Sequence, residues 1–246
     1  MSGSRGAAAG DVGLLVQEAG RRLRILILAG VPAGVLIGGI GGRLAMLLLR
    51  STSPETVIGV TSDDGFTIGQ FTLSGTYNLL VLGAAVGLIG AVAYWAVAPW
   101  LIGPTWFRRL TVALACGAVV GSMLVHADGV DFVLLKPTWF AVALFVAIPT
   151  AFGAVIGPAV DGAERVVPVG PGGVGGWTPP LVLIALFPFV LPVVLMAAAV
   201  VLVWTVLRPV VPRHLPAPVV LVIRAAWLTI AGGGLVALVR DINRLA

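Results

Sequence analysis

Charge is what this sequence has least of: across 246 residues only 10% are Asp, Glu, Lys or Arg, while 59% are hydrophobic. An ordinary soluble domain carries about a quarter of its residues charged, so water is not the main solvent of this chain, and the apolar runs leave no room for a sizeable soluble domain. Lysine is nearly missing, since Lys136 is the one Lys among 15 basic residues. With the abundance of Ala, Gly and Val, that arginine bias points to a bacterial gene of high GC content. The single cysteine, Cys116, excludes an intramolecular disulfide and a cysteine-rich metal site. The two histidines, His126 and His214, fall in different loops without a metal-ligand partner nearby in sequence. His-Glu-x-x-His, Gly-x-Ser-x-Gly, Walker A and dinucleotide fingerprints are all absent. The catalytic inventory is thin, and neither a cofactor nor a metal is implied. The net charge of +5 does not make a basic face, because the arginines are scattered among hydrophobic runs; nucleic acid is excluded as a partner.

What is present is a series of apolar runs of about 20 residues, the length that crosses a bilayer as a helix. The expected fold is an all-α integral membrane protein, a six-span helical bundle with a small extracytoplasmic β-hairpin loop. The spans are Ile25 to Leu49, Asn78 to Val97, Leu110 to His126, Thr138 to Val160, Leu181 to Val206 and Val219 to Val239. Residues 1–24 form a cytoplasmic tail, disordered over its first ten residues and carrying an interfacial helix after Asp11. Residues 25–246 form the membrane domain, including the outer loop 51–77. The N-terminal stretch has no compact apolar core or cleavage site of a secretory signal, so the first apolar segment is expected to remain as a span.

Orientation follows from counting Lys and Arg at the two faces. With the N-terminus inside, nine lie on the cytoplasmic side (Arg5, Arg21, Arg22, Arg24, Arg108, Arg109, Arg165, Arg240, Arg244) and four outside (Arg50, Lys136, Arg208, Arg213). The bias places both termini in the cytoplasm of a cell that keeps the protein in its plasma membrane. Arg208 and Arg213 sit on the wrong side of this count, which leaves a re-entrant fifth segment, bent at Pro188 and Pro192, as the alternative. Trp100 and Trp106 are read as inner-boundary anchors, Trp139 and Trp204 as outer ones.

The outer loop Ser51 to Tyr77 places Val57, Ile58 and Val60 before Asp63-Asp64-Gly65 and Phe66, Ile68, Phe71 and Leu73 after it, the pattern of a hairpin around an Asp-Gly turn. The inner connection Asp161 to Pro180, rich in Gly and Pro, reads as a flexible linker. Small residues recur four apart: Gly34, Gly38 and Gly42; Gly83 and Gly87; Gly117 and Gly121; Gly153 and Gly157. Such faces let helix backbones approach closely, and intrachain packing is their expected use.

Arg43 and Arg224 lie inside spans, about 9 Å and about 8 Å from the outer boundary at the helical rise. A charge at that depth costs at least a few kcal/mol unless it snorkels, pairs with an acid or serves an anionic ligand. The expectation is one outer pocket in which Arg43 and Arg224 meet beneath Asp63 and Asp64, flanked by His126 and Asp128, holding an anionic lipid or small anion. The leading functional reading is a non-enzymatic accessory or ligand-binding membrane subunit, in the lipid bilayer and beside a membrane-protein partner. A small transporter comes second and a membrane-embedded enzyme third.

Overall fold

The computed structural model describes residues 3–53, 72–125, 137–169, 174–207 and 217–245. Helix α1 spans Gly3–Ala33 and passes through a π-helical segment, Gly34–Ile40, into α2, Gly41–Thr52. Helix α3 is Leu73–Val97 with a 3-10 turn at Ala98–Trp100; α4 is Thr105–Leu124 and α5 Thr138–Val166. A 3-10 turn, Val174–Trp177, leads into α6, Thr178–Leu186; a second, Pro188–Val190, leads into α7, Leu191–Leu207; α8 is Ala217–Leu245. Among the described residues no strand occurs. Lipid offers no hydrogen bonds, so a spanning backbone must satisfy its own N–H and C=O groups, and helices do this within one segment.

Six helical segments are long and apolar enough to cross a membrane: Gly13–Thr52, Leu73–Trp100, Thr105–Leu124, Thr138–Val166, Pro188–Leu207 and Pro218–Leu245. The protein is a multi-pass helical bundle. Its outward side chains are those of a lipid-facing surface, with Leu44, Leu47, Leu48, Leu82, Val86 and Leu195 all exposed. The interfacial helix expected after Asp11 is not a separate element, because α1 continues without a break through Arg21, Arg22 and Arg24 into the first crossing. The expected hairpin falls on residues 54–71, outside the described residues. Its flank is helical: Leu73, read from sequence as part of the second strand, opens α3, and the Thr72 hydroxyl accepts from the Gly75 N–H at 3.2 Å as an N-cap.

The first two crossings meet backbone to backbone. A β-carbon added at Gly30 would stand 2.6 Å from the Gly87 carbonyl oxygen, and one at Gly34 would overlap the Gly83 carbonyl. Further along, Gly39 lies against Leu80 and Gly42 against Leu79, so α3 runs antiparallel to α1 and α2. The π-helical turns occur within this contact, where the Gly41 N–H reaches back to the carbonyls of Gly38 and Leu36. Glycines at 34, 38 and 39 present no side chains to resist the wider turn. Helices α4 and α5 repeat the device: a β-carbon at Gly153 would lie 2.8 Å from the Ala113 Cα, and one at Gly117 would overlap the Thr150 hydroxyl. The buried core that joins α1, α3, α5 and α7 is built on Ile25, Leu26, Ile27, Leu88, Ile156 and Val201, each at most 1% exposed.

The fifth apolar run is not one helix. Phe187 precedes Pro188, and a residue before proline is pushed off the α conformation; Phe187 takes φ −131° and ψ 68°, and α6 stops at Leu186. The Leu186 carbonyl then receives the Tyr77 hydroxyl at 3.1 Å, and Phe187 stacks on the Tyr77 ring at 6.3 Å. Tyr77 opens α3 at the end of the bundle remote from Arg24, whereas α6 begins beside Arg24, with Trp177 against it and against Gly20. Thus α6 rises from the amino-terminal end, and α7 returns to it, where Trp204 meets Trp95 edge-on at 6.3 Å. Trp204 accordingly belongs to the same end as Trp100, not to the outer belt.

That reversal inverts everything after it. The Nε of Arg224 donates to the Trp100 carbonyl at 3.4 Å, near the start of α8. At the far end of α8, Leu238 joins Leu49, Val125, Ala141 and Val142 in a separate apolar cluster. Gly234 packs on Ala118 and Val119, so α8 runs parallel to α4. The two ends of the described helices therefore lie at opposite ends of the bundle. The physical reason is the helix break at Phe187-Pro188, which turns the fifth segment into a hairpin and adds a traversal.

Two outcomes follow. Gly34→Leu and Gly87→Leu should each lower the melting temperature in detergent, at the about 1–3 kcal/mol typical of overpacking or more, since backbone cannot move aside. Gly232→Leu, where nothing lies within 4 Å, should melt like the parent. In a Cys116→Ala background, cysteines placed at Ser4 and Asn243 should be labelled by an impermeant maleimide from opposite sides of sealed vesicles; labelling of both from one side would refute the hairpin.

Candidate functional site

The amino-terminal end of the bundle gathers most of the charge in the described residues. Within residues 18–24, 108–109 and 161–165 stand six arginines and three carboxylates. They come from three helices: α1 brings Glu18, Arg21, Arg22 and Arg24; α4 brings Arg108 and Arg109 in its first turn; α5 brings Asp161, Glu164 and Arg165 in its last two. Antiparallel packing of successive crossings puts these segments together.

All three carboxylates are engaged. Arg22 holds two of them, its Nε 2.8 Å from Glu18 Oε1 and its Nη1 2.8 Å from Glu164 Oε1. Arg109 Nη2 lies 3.2 Å from Asp161 Oδ2. These pairs are part-exposed, so each is worth no more than about 1 kcal/mol. Among the described residues none of these acids pairs with Arg21 or Arg24.

Arg24 is the unusual member. Its neighbours Leu23 and Ile25 are apolar, and α1 carries it inward until the residue is only 2% exposed. Nε and Nη1 are buried and have no hydrogen-bond partner among the described residues. The Arg24 Cζ lies over the Trp177 ring, 5.5 Å from its centroid. A β-carbon on Gly176 would collide with Nη1, so only glycine lets the backbone come this close to the charged edge. Three residues earlier on the same helical face, Arg21 also has a buried Nε without a partner. Arginine cannot shed its proton to escape burial, so the end of the bundle holds a desolvated positive charge with Trp177 packed on it.

The residues singled out in the sequence are not brought together. Arg43 sits half-buried in α2 at the far end from Arg24, whereas Arg224 sits half-buried in α8 beside Trp100 at the amino-terminal end. The pocket expected to unite them does not form, because the hairpin reverses α8 and carries Arg224 to the other end. Asp63, Asp64, His126 and Asp128 lie outside the described residues. Among the described residues no group of three or more His, Cys, Asp or Glu side chains is placed to hold a metal ion. Sequence reading took Arg24 as one of three boundary arginines. The signal available was its position between Leu23 and Ile25, inside the apolar run; nothing local ties residue 24 to Trp177.

Comparison with protein families, with curated proteins and with solved structures gave no match.

The Arg24–Trp177 contact is open to a double-mutant cycle. Arg24→Gln, Trp177→Leu and the double variant should show a coupling of about 1–2 kcal/mol in detergent stability, the range of a desolvated cation–π pair. Additive effects would mean that the ring merely fills space beside the guanidinium.

Proposed function

We propose that the protein is a non-enzymatic multi-pass subunit of a bacterial plasma membrane that binds anionic ligands at the amino-terminal end of its bundle, with that end in the cytoplasm. The observation that carries the reading is the charge imbalance there, six arginines against three carboxylates that are already paired. The inner leaflet is anionic, and each basic residue near its surface contributes about 1 kcal/mol of attraction. The positive-inside bias supports the same orientation. With α8 reversed, Arg240 and Arg244 leave the amino-terminal side, and the described basic residues still favour that side, Arg5, Arg21, Arg22, Arg24, Arg108, Arg109 and Arg165 against Arg50, Arg240 and Arg244. The carboxy-terminal end then lies across the membrane.

The reading makes a measurable demand on the lipid shell. Protein extracted with its native lipids into polymer nanodiscs should carry more phosphatidylglycerol than the surrounding membrane. Replacing the exposed Arg108 and Arg165 by Gln should reduce that enrichment. A shell identical to the bulk membrane in the wild-type protein would dismiss the proposal.

A further inference from the structure

Attraction of an anionic leaflet to exposed arginines is diffuse and is screened by salt. The buried Arg24 and the half-buried Arg21 on α1 are a different kind of feature. Resting on the reading that this end takes anions, we infer that Arg21 and Arg24 form a discrete binding site for a phosphoryl group, capped by Trp177.

Four observations converge on that chemistry. The partnerless donors are N–H groups of guanidinium edges, Nε and Nη1 of Arg24 and Nε of Arg21, and the guanidinium edge is the group that meets phosphoryl oxygens in a planar fork. Trp177 packs on the Arg24 guanidinium and Gly176 lies beside Nη1, so the charged group is enclosed by apolar ring and backbone. Arg22 holds both Glu18 and Glu164, Arg109 holds Asp161, and among the described residues no carboxylate pairs with this edge. The two arginines are three apart on one helix face, where their charges repel unless an anion lies between them. A tetrahedral phosphoryl group presents oxygens in several directions and can accept from both arginines, whereas a carboxylate presents two in a single plane. The height is that of a headgroup layer: Trp95, Trp100 and Trp204 cluster at this end, and tryptophans favour the membrane–water boundary.

The phosphoryl group can be that of an anionic phospholipid or free inorganic phosphate, and the experiment separates them. The full-length protein is delipidated in neutral detergent and examined by native mass spectrometry with phosphatidylglycerol or phosphatidylcholine at about 0.1 M and about 1 M salt, where the screening length falls from about 10 Å to about 3 Å. Wild type should hold one phosphatidylglycerol that survives high salt. R24Q and R21Q should each weaken that retention about tenfold. R24K, which keeps the charge and loses the planar fork, should be intermediate, and R240Q at the opposite end should behave as wild type. In a second arm, inorganic phosphate should raise the melting temperature of wild type but not of R24Q if free phosphate is the ligand; a response to the lipid alone assigns the site to the headgroup. Should R24Q fail to fold, R21Q and R24K carry the test.

The site is refuted if R21Q and R24K keep wild-type salt-resistant lipid and an unchanged response to phosphate. It is equally refuted if wild type retains no anionic ligand at high salt. Salt-sensitive enrichment of phosphatidylglycerol would persist in either case if the broader reading holds, so the two can fail separately.

Discussion

The close approach of α1 to α3 is the contact on which the bundle depends. In hydrocarbon there is no hydrophobic drive between helices, and association rests on dispersion and weak polar contacts that act only at short range. Gly30, Gly34, Gly83 and Gly87 allow that range, with carbonyl oxygens of one helix lying where the β-carbons of the other would be. The π-helical turns at Gly34–Ile40 are part of the same contact, and Gly39 and Gly42 extend it toward Tyr77. Once the first two crossings are locked in antiparallel register, Tyr77 and Trp95 occupy opposite ends of one surface. The fifth segment is then built against that surface.

A proline decides how it is built. Phe187-Pro188 ends α6 inside the apolar run, and the proline has no N–H to continue the helical ladder. The Tyr77 hydroxyl meets the Leu186 carbonyl, so the break is tolerated because another helix supplies the donor. From there α7 descends along α3 to the Trp95–Trp204 contact. Every later feature inherits this turn: the direction of α8, the placement of Arg224 on Trp100, and the separation of Arg224 from Arg43.

The hairpin also explains why Arg24 is buried. Because α6 starts at the amino-terminal end, Gly176 and Trp177 come down on a guanidinium that would otherwise mark a membrane boundary like Arg108. An arginine that merely marks orientation needs water or lipid phosphate around it. One packed on a tryptophan, with nitrogens that find no partner among the described residues, has been withdrawn from solvent, and such a group destabilises the fold unless something anionic reaches it. The distinction between the two roles lies wholly in what sits above residue 24.

The sequence by itself determined the apolar surroundings of this protein, its helical class and the six long apolar segments, because hydropathy over about 20 residues is a local property. It also contained the warning of a reversal, in Pro188 and Pro192 and in Arg208 and Arg213 on the wrong side of the count. What it did not contain was the outcome. Whether a proline kinks a span or folds it back depends on a carbonyl finding the Tyr77 hydroxyl, 109 residues away along the chain. Glycines at 30, 39 and 234 were as visible in the sequence as those at 34 and 83, but their contacts depend on which helix lies opposite. The charged site was hidden for the same reason: Arg21, Arg22 and Arg24 are alike as letters. Only packing against Glu18, Glu164 and Trp177 gives one of them two acids and leaves another with none.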